Sequence, residues 1–251
     1  ITDPLEMAEG KKQYASTDIP TLFNKVWNHN TSYHTFLTHR YNLGFYKERE
    51  DSITTDSVQI VQDFVPVTSF IHTLELDLNG RKYITQDDSQ NRDFFEHTYF
   101  GNDSIDKNRR TSIRNTFGIS LREGFNKWAK AGLTAFLTHE YRDFTLPDST
   151  NIPGERVIKH YKENVVYVGG ELLKQQGNLL HYKVLGEFAV AGEDAGQFRV
   201  EGNGDLNLNI LGDSVRLDVN AYVKNLNPVF YYRNFHSKHY WWDHSDLSKI
   251  M

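Results

Sequence analysis

The stretch Phe198-Arg-Val-Glu-Gly-Asn-Gly-Asp-Leu-Asn-Leu-Asn-Ile210 alternates between two kinds of side chain with a period of two. Its even positions are apolar or glycine, and its odd positions are charged or asparagine. Successive side chains of a β-strand point to opposite faces, so the pattern predicts a strand with one apolar and one polar face. Such a strand is long enough to cross a bilayer, which takes about 9–11 residues of tilted strand.

The alternation resumes after a turn at Leu211–Ser214 and continues from Val215 to Lys224. We therefore predict an all-β fold, an antiparallel up-and-down transmembrane β-barrel. A register slip of one residue would turn Arg199, Arg216 and Lys224 toward lipid, at a cost of roughly 2–4 kcal/mol for each basic residue at the midplane. The polar face of this hairpin is therefore expected to line the lumen.

The composition is compatible with a barrel and excludes several other classes. The chain has 251 residues, no Cys, a net charge of -5 and a mean hydropathy of -0.61. Low mean hydropathy is no objection, because apolar residues of barrel strands alternate with polar ones. The absence of Cys excludes a disulfide framework and a Cys-based metal site or nucleophile. The slight acidity argues against nucleic acid as a partner.

Turn and loop signals divide the chain into nine predicted strands between about residues 31 and 225. They are 31–46, 62–78, 81–99, 113–121, 129–144, 166–172, 180–190, 198–210 and 215–224. Asn79-Gly80 is the strongest short hairpin signal, because both central positions of a type I′ turn need a positive φ. The pattern predicts a single barrel region over residues 1–251, incomplete and part of a larger barrel, with a C-terminal loop at 226–251.

Short turns alternate with generally longer polar loops, at 47–61, 101–108, 146–162 and 192–196. This asymmetry is typical of outer-membrane barrels. Aromatic residues crowd the predicted long-loop ends, where an interfacial girdle is expected. They are Tyr41, Phe45, Tyr46, Phe94, Phe95, Tyr99, Phe100, Tyr141 and Phe144.

Charged residues on the polar face of the last three strands are the candidate pore-lining residues. They are His181, Lys183, Glu187, Arg199, Glu201, Asp205, Arg216, Asp218 and Lys224. Their mixed signs indicate a wet wall, either around a channel or around a plugged lumen. The plainer interpretation is that each is a solvated wall residue whose partner sits on the next strand.

No catalytic residue, metal site or cofactor is predicted. Ser and His are scattered without a Gly-x-Ser-x-Gly context, so we expect no enzyme. The C-terminal His236, His239, Asp243, His244 and Asp246 are the strongest metal candidates, but their spacing matches no tetrahedral signature. We expect this segment to be an extracellular loop that carries girdle aromatics.

Several motifs resemble the "Putative porin" family of Bacteroidota outer membranes. They are His39-Arg-Tyr-Asn-Leu-Gly-Phe45, Val65-Pro-Val67, Ala191-Gly-Glu-Asp-Ala-Gly196, Asn227-Pro228 and His239-Tyr-Trp-Trp-Asp243. The resemblance implies a barrel in the outer membrane of a Gram-negative bacterium. Family members are longer than this chain, which implies an internal fragment of a longer chain.

The leading functional hypothesis is passive passage of small hydrophilic solutes or ions, without chemistry. A second hypothesis is a structural or docking barrel in a multi-protein outer-membrane complex. A third is a secreted, soluble all-β ligand-binding protein. The first two imply outer-membrane lipid and lipopolysaccharide as partners, and the second adds other outer-membrane proteins.

Overall fold

The fold is one antiparallel sheet of eight strands, whose order across the sheet is their order along the chain. The computed structural model describes residues 25–54, 57–86, 94–100, 104–124, 130–150, 155–210, 213–245 and 247. The strands are β1 (Val26–Thr54), β2 (Ser57–Thr85), β3 (Ile105–Leu121), β4 (Gly132–Ser149), β5 (Arg156–Lys174), β6 (Leu180–Gly192), β7 (Phe198–Ile210) and β8 (Asp213–Asn225). The predicted all-β, antiparallel up-and-down class is confirmed; that residues 1–251 form a single region remains a prediction.

The two ends of the sheet differ. We call the end where β2 passes to β3 the long-connection end, because residues 86–104 separate these strands there. The segment that follows β8 leaves from the same end. At the opposite, short-connection end, β1 passes to β2 and β7 passes to β8 after two residues each.

The register collects the apolar side chains of the strands on one face. Directly paired residues of an antiparallel sheet point to the same side. One such row runs through Phe70, Ile119, Ala135, Gly170 and Gly186. The alternation predicted for residues 198–210 and 215–224 is therefore part of a two-faced pattern that extends across the sheet.

In the middle strands of the sheet, exposure is inverted relative to a water-soluble sheet. Phe117 and Leu137 on the apolar face are 57% and 49% exposed. On the opposite face, Thr138 is 0% and Glu140 is 6% exposed. A soluble antiparallel sheet buries its apolar face and leaves its polar face in water. The arrangement suits a sheet whose apolar face meets lipid.

Polar side chains of the middle strands contact one another across the sheet. Arg114 on β3 and Glu187 on β6 are separated by β4 and β5, but the Arg114 Nη2 and Glu187 Oε1 atoms are 2.8 Å apart. Neighbouring strands lie about 4.8 Å apart, so these backbones would be roughly 14 Å apart in a flat sheet. The contact therefore fits a sheet that curves with its polar face concave.

The hairpin predicted at Asn79-Gly80 is wrong, because both residues lie inside β2. Asn79 pairs with Ser32 on one side and with Arg110 on the other. The Ser32 hydroxyl also donates to Asn79 Oδ1 at 2.7 Å. Pairing on both sides keeps this backbone extended, and Gly80 does not use a positive φ. Tertiary pairing thus overrides the local turn preference.

Losing that turn also changes the neighbouring predictions. Residues 81–85 continue β2, residues 94–100 are not in a strand, and 87–93 lie outside the described residues. The nine predicted strands thus become eight in the sheet. Much of the predicted loops at 47–61 and 146–162 is strand, since β1 extends to Thr54, β4 to Ser149, and β5 begins at Arg156.

The predicted C-terminal loop is instead a structured strap, which we define as residues 226–245. It contains a helical turn α1 (Phe230–Arg233) and a small hairpin of β9 (Asn234–His236) and β10 (Trp241–Asp243). Its contacts run from the β6–β7 turn, where Asn227 donates to Glu193 O at 3.1 Å, to β2, where Arg81 approaches the Phe235 ring. The strap therefore crosses the polar face at the long-connection end.

Part of the aromatic girdle prediction is wrong, because some of these rings pack against the strap. Phe144 faces the polar side and stacks on Phe230 with 3.9 Å between ring centroids. Phe100 is buried and lies beside Trp241. These rings pack inside the curve of the sheet because the strap offers them apolar partners there. Tyr41 lies toward the short-connection end, opposite to the end predicted.

Among the described residues, no helix has the length and apolar character needed to span a membrane.

We expect two adjacent arginine substitutions on β6 to differ in their effect on stability. Val184→Arg places a cation on the apolar face and should lower the free energy of unfolding by about 2–4 kcal/mol. Leu185→Arg is the matched control, because Leu185 faces Glu171 and Glu201 directly across the sheet. Urea unfolding in lipid vesicles measures both variants. Equal losses would contradict the assignment of the two faces.

Candidate functional site

All nine predicted pore-lining residues lie on the concave polar face, as the register of β6, β7 and β8 requires. Glu187 pairs with Arg199, and Arg199 pairs with Lys224, so these three side chains form one row. His181, Asp205 and Asp218 form another row, nearer the short-connection end. The shared face follows from the geometry; a role in lining a pore remains a prediction.

Each cation of this set has a carboxylate partner on the same face. Lys224 Nζ lies 2.8 Å from Glu201 Oε1, and Lys183 Nζ lies 3.0 Å from Glu171 Oε2. Arg199 Nη2 lies 2.9 Å from Glu187 Oε2. Cations and carboxylates of neighbouring strands are therefore paired on this face, and both signs of charge are present.

A second group lies nearer the short-connection end. His181 Nδ1 and Asp205 Oδ2 are 3.0 Å apart, and Arg216 Nε donates to Asp218 Oδ1 at 3.0 Å. Arg216 also lies 4.0 Å from Asp205. Arg216 and Asp218 are largely exposed, so their pairing adds little to stability.

The densest charge cluster on this face lies beyond the predicted set and centres on Arg142 of β4. Its guanidinium donates to both carboxylate oxygens of Glu140, at 2.8 and 3.0 Å. It also donates to the Tyr167 hydroxyl at 2.8 Å and lies 2.8 Å from Asp194 Oδ2. The Tyr167 hydroxyl in turn donates to Asp194 at 2.6 Å. The planar guanidinium of Arg142 thus links residues of β4, β5 and the β6–β7 turn.

Further arginines extend the cluster in both directions. Arg114 reaches Glu187 at 2.8 Å and so connects the cluster to the predicted row of Glu187 and Arg199. Arg233 of the strap reaches Glu163 at 2.6 Å. Arg110 lies 3.5 Å from Glu140. The predicted residues are therefore the β6–β8 part of a wider network.

The cluster is built to hold charge in place. Glu140, Glu163, Glu187 and Asp194 are all at most 9% exposed, and each accepts from or lies beside an arginine. A buried carboxylate without such a partner would be very costly. Arginine also stays charged under all ordinary conditions. Each buried carboxylate of the cluster is thus held beside at least one cation that stays charged.

The alternation in the sequence is sufficient to predict the face on which part of this cluster lies. Arg114, Glu140 and Arg142 all alternate with apolar residues in the predicted strands 113–121 and 129–144, which assigns them to the polar face. Their pairing with β6 and the strap depends on curvature that alternation does not encode. Asp194 lies in a turn and carries no periodic signal at all.

The strap covers the long-connection end of this face with an aromatic core. Phe230 packs on Phe144, Leu146 and Tyr161. Burial raises the pKa of the neighbouring Tyr231 phenol above its ordinary value. The Lys238 backbone N–H donates to Asp106 on β3 at 3.1 Å, and Tyr99 N–H donates to Lys238 O at 2.9 Å. The strap is thus anchored by apolar stacking, ion pairing and backbone bonds.

His236 and His239 take part in this packing. His236 is buried, stacks on Trp241 at 3.8 Å, and has Asp243 Oδ1 at 2.9 Å from its Nε2. His239 stacks on Phe95. Across the part of the chain that the structure describes, no group of three or more His, Cys, Asp or Glu side chains is arranged to hold a metal ion. Asp246 lies outside the described residues.

A family model described as "Putative porin" matches residues 1–251 of the chain. No curated protein and no solved structure matched it.

We expect Arg142→Gln to be strongly destabilising, because it leaves the buried carboxylates of Glu140 and Asp194 without their shared cation. Breaking a buried ion pair typically costs about 3–5 kcal/mol. Arg216→Gln removes the same charge from an exposed pair and should cost less than about 1 kcal/mol. Denaturant unfolding of both variants tests the difference. Similar values for the two would mean that the Arg142 cluster is not structural.

Proposed function

Because the chain belongs to the "Putative porin" family, we propose that it forms the wall of an outer-membrane channel through which small hydrophilic solutes or ions pass. The observation that carries this proposal is the inversion of burial: ion-paired charges on the concave face and exposed apolar side chains on the convex face. The family points to a channel protein rather than an enzyme. The outer membrane of a Gram-negative bacterium is the proposed location.

The edges of the sheet support a barrel larger than the described strands. Among the described residues, β1 and β8 each have one strand neighbour. Unpaired backbone groups of an open edge are not tolerated in hydrocarbon, so spanning sheets are closed. We propose that further strands pair with β1 and β8 and complete the barrel.

In the proposed mechanism, solutes move along the polar face in water and never meet the apolar side. Rings and ladders of charged side chains set the ionic preference of such a pore. Here both signs are present and paired, so the expected preference is mild. The strap lies across the long-connection end of the same face and would narrow the path there.

A docking role in a multi-protein complex is the second candidate. It is favoured by a polar patch in the middle of the apolar face, made of His39, His72, Asn115 and His139. His72 Nε2 lies 3.4 Å from Asn115 Oδ1, and the His39 and His72 rings are 5.7 Å apart. Polar groups that face lipid at this depth are costly, and contact with another protein would cover them. The exposed apolar face does not fit the third candidate, a soluble binding protein.

Single-channel recording of the purified protein in a planar bilayer tests the proposal. Steady ohmic steps are expected for the wild type. Replacing Arg199, Arg216 and Lys224 by Gln removes three cations from the concave face. It should therefore shift the reversal potential in a salt gradient toward greater cation preference.

The matched control for selectivity is the triple variant Lys82→Gln, Lys107→Gln and Arg109→Gln. It makes the same change in charge on the apolar face and should leave the reversal potential nearly unchanged. Silence from protein that is demonstrably inserted would reject the channel and favour the docking role.

A separate prediction concerns the strap. Phe230→Ala with Arg233→Ala removes its stack on Phe144 and its ion pair with Glu163. The strap should then leave the polar face more often, giving larger or noisier conductance steps. Tyr232→Ala is the control, because Tyr232 lies in the same helical turn and is 65% exposed. Unchanged conductance in the double variant would mean that the strap does not narrow the path.

A further inference from the structure

Three basic side chains of β2 and β3 project from the apolar face at the long-connection end. Lys82 of β2 pairs directly with Lys107 of β3, and Arg109 follows two residues along the same strand. His29 of β1 pairs with Lys82 from the other side. Like charges directly opposite each other destabilise a sheet, and an anion bound between them would reduce this repulsion.

Among the described residues, the row has no carboxylate partners of the kind that cations have on the concave face. Within the described part of the chain, no carboxylate lies within 4.0 Å of Lys82, Lys107 or Arg109. By contrast, five arginines of the concave network each have a carboxylate within that distance. They are Arg110, Arg114, Arg142, Arg199 and Arg233. On the apolar face, the nearby Asp143 is already paired with His160 at 2.9 Å.

A groove of about 870 Å³ lies along this row, and its size is in the range of ligand sites. Its lining includes the three cations together with Tyr33 and Leu78. Gly80, which pairs with Arg109, leaves the floor open: a Cβ there would meet nothing nearer than 3.9 Å. The groove therefore combines cations with the edge of the apolar surface.

We propose that this groove binds the phosphorylated headgroup of an anionic outer-leaflet lipid. The proposal rests on the membrane-spanning function above, because only then does the apolar face meet lipid. Long connections of outer-membrane barrels face the cell exterior, which sets the row at the outer-leaflet interface. Arg109 supplies a planar fork for phosphate oxygens, and the lysines supply point charges.

The acyl chains of the same lipid fit the surface next to the row. Leu78 pairs with Thr111 and Leu76 pairs with Ile113, so the next rows along the strands become apolar. A free phosphate ion would use only the cations. A lipid uses both the cations and the apolar rows, which is why the groove favours the lipid.

Binding of bisphosphorylated lipid A to the detergent-purified protein, followed by native mass spectrometry, tests the site. The variant with Lys82→Gln, Lys107→Gln and Arg109→Gln should bind on the order of 100-fold more weakly, since each basic residue near a charged lipid surface contributes about a factor of five. The control variant carries Lys47→Gln, Arg122→Gln and Lys130→Gln. Those residues are exposed at the short-connection end.

The outcomes separate the sources of binding. Unchanged affinity in the first variant, or an equal loss in the control, would overturn the site. Equally tight binding of dephosphorylated lipid A would exclude phosphate recognition, and equally tight binding of inorganic phosphate alone would exclude a lipid. Flotation with phosphatidylcholine vesicles reports membrane insertion independently. Failure to float would reject both proposals, whereas flotation without site-specific lipid A binding would reject only the lipid site.

Discussion

The structure depends on one continuous antiparallel register that links eight strands. Strands β2 to β7 each pair with a neighbour on both sides, and such pairing of backbone N–H and C=O groups is the condition for placing a sheet in hydrocarbon. The same register decides the direction of every side chain. Because the period is two residues, a slip at any one strand would bring its charges to the apolar face. The register of the strands therefore determines both the fold and the positions of the charged side chains on the concave face.

Within that register, charge pairing takes the place that apolar packing has in a soluble protein. The buried groups on the concave face include Glu140, Glu163 and Glu187, and arginines of β3, β4 and the strap contact them. Apolar burial is limited to small patches, such as Val165 with Tyr167 and Ala189. Hydrogen-bonded pairs of arginine and carboxylate hold this face together. Water can reach many of its other side chains.

Local periodicity was sufficient to predict the class and the faces, most clearly for residues 198–210 and 215–224. It failed at Asn79-Gly80, where strands on both sides hold an apparent turn in an extended conformation. It also failed for the strap, whose His and Trp residues resemble a girdle loop in composition. Their partners, Pro147 and Phe100, are distant in sequence and carry no periodic signal. For the same reason, alternation alone could not predict the contacts of the Arg142 cluster, because its members come from β4, β5 and the β6–β7 turn.

The strap has a consequence for the order of assembly. Its contact between Lys238 and Asp106 joins residues 132 positions apart, whereas neighbouring strands of the sheet are joined by at most the 19 residues 86–104. Closing so long a loop early would be entropically unfavourable, so local hairpins should form before it. The surface on which the strap rests is also complete only after β2 to β5 have paired. We therefore expect the sheet to form first, and the strap to pack across its long-connection end as the last step of folding.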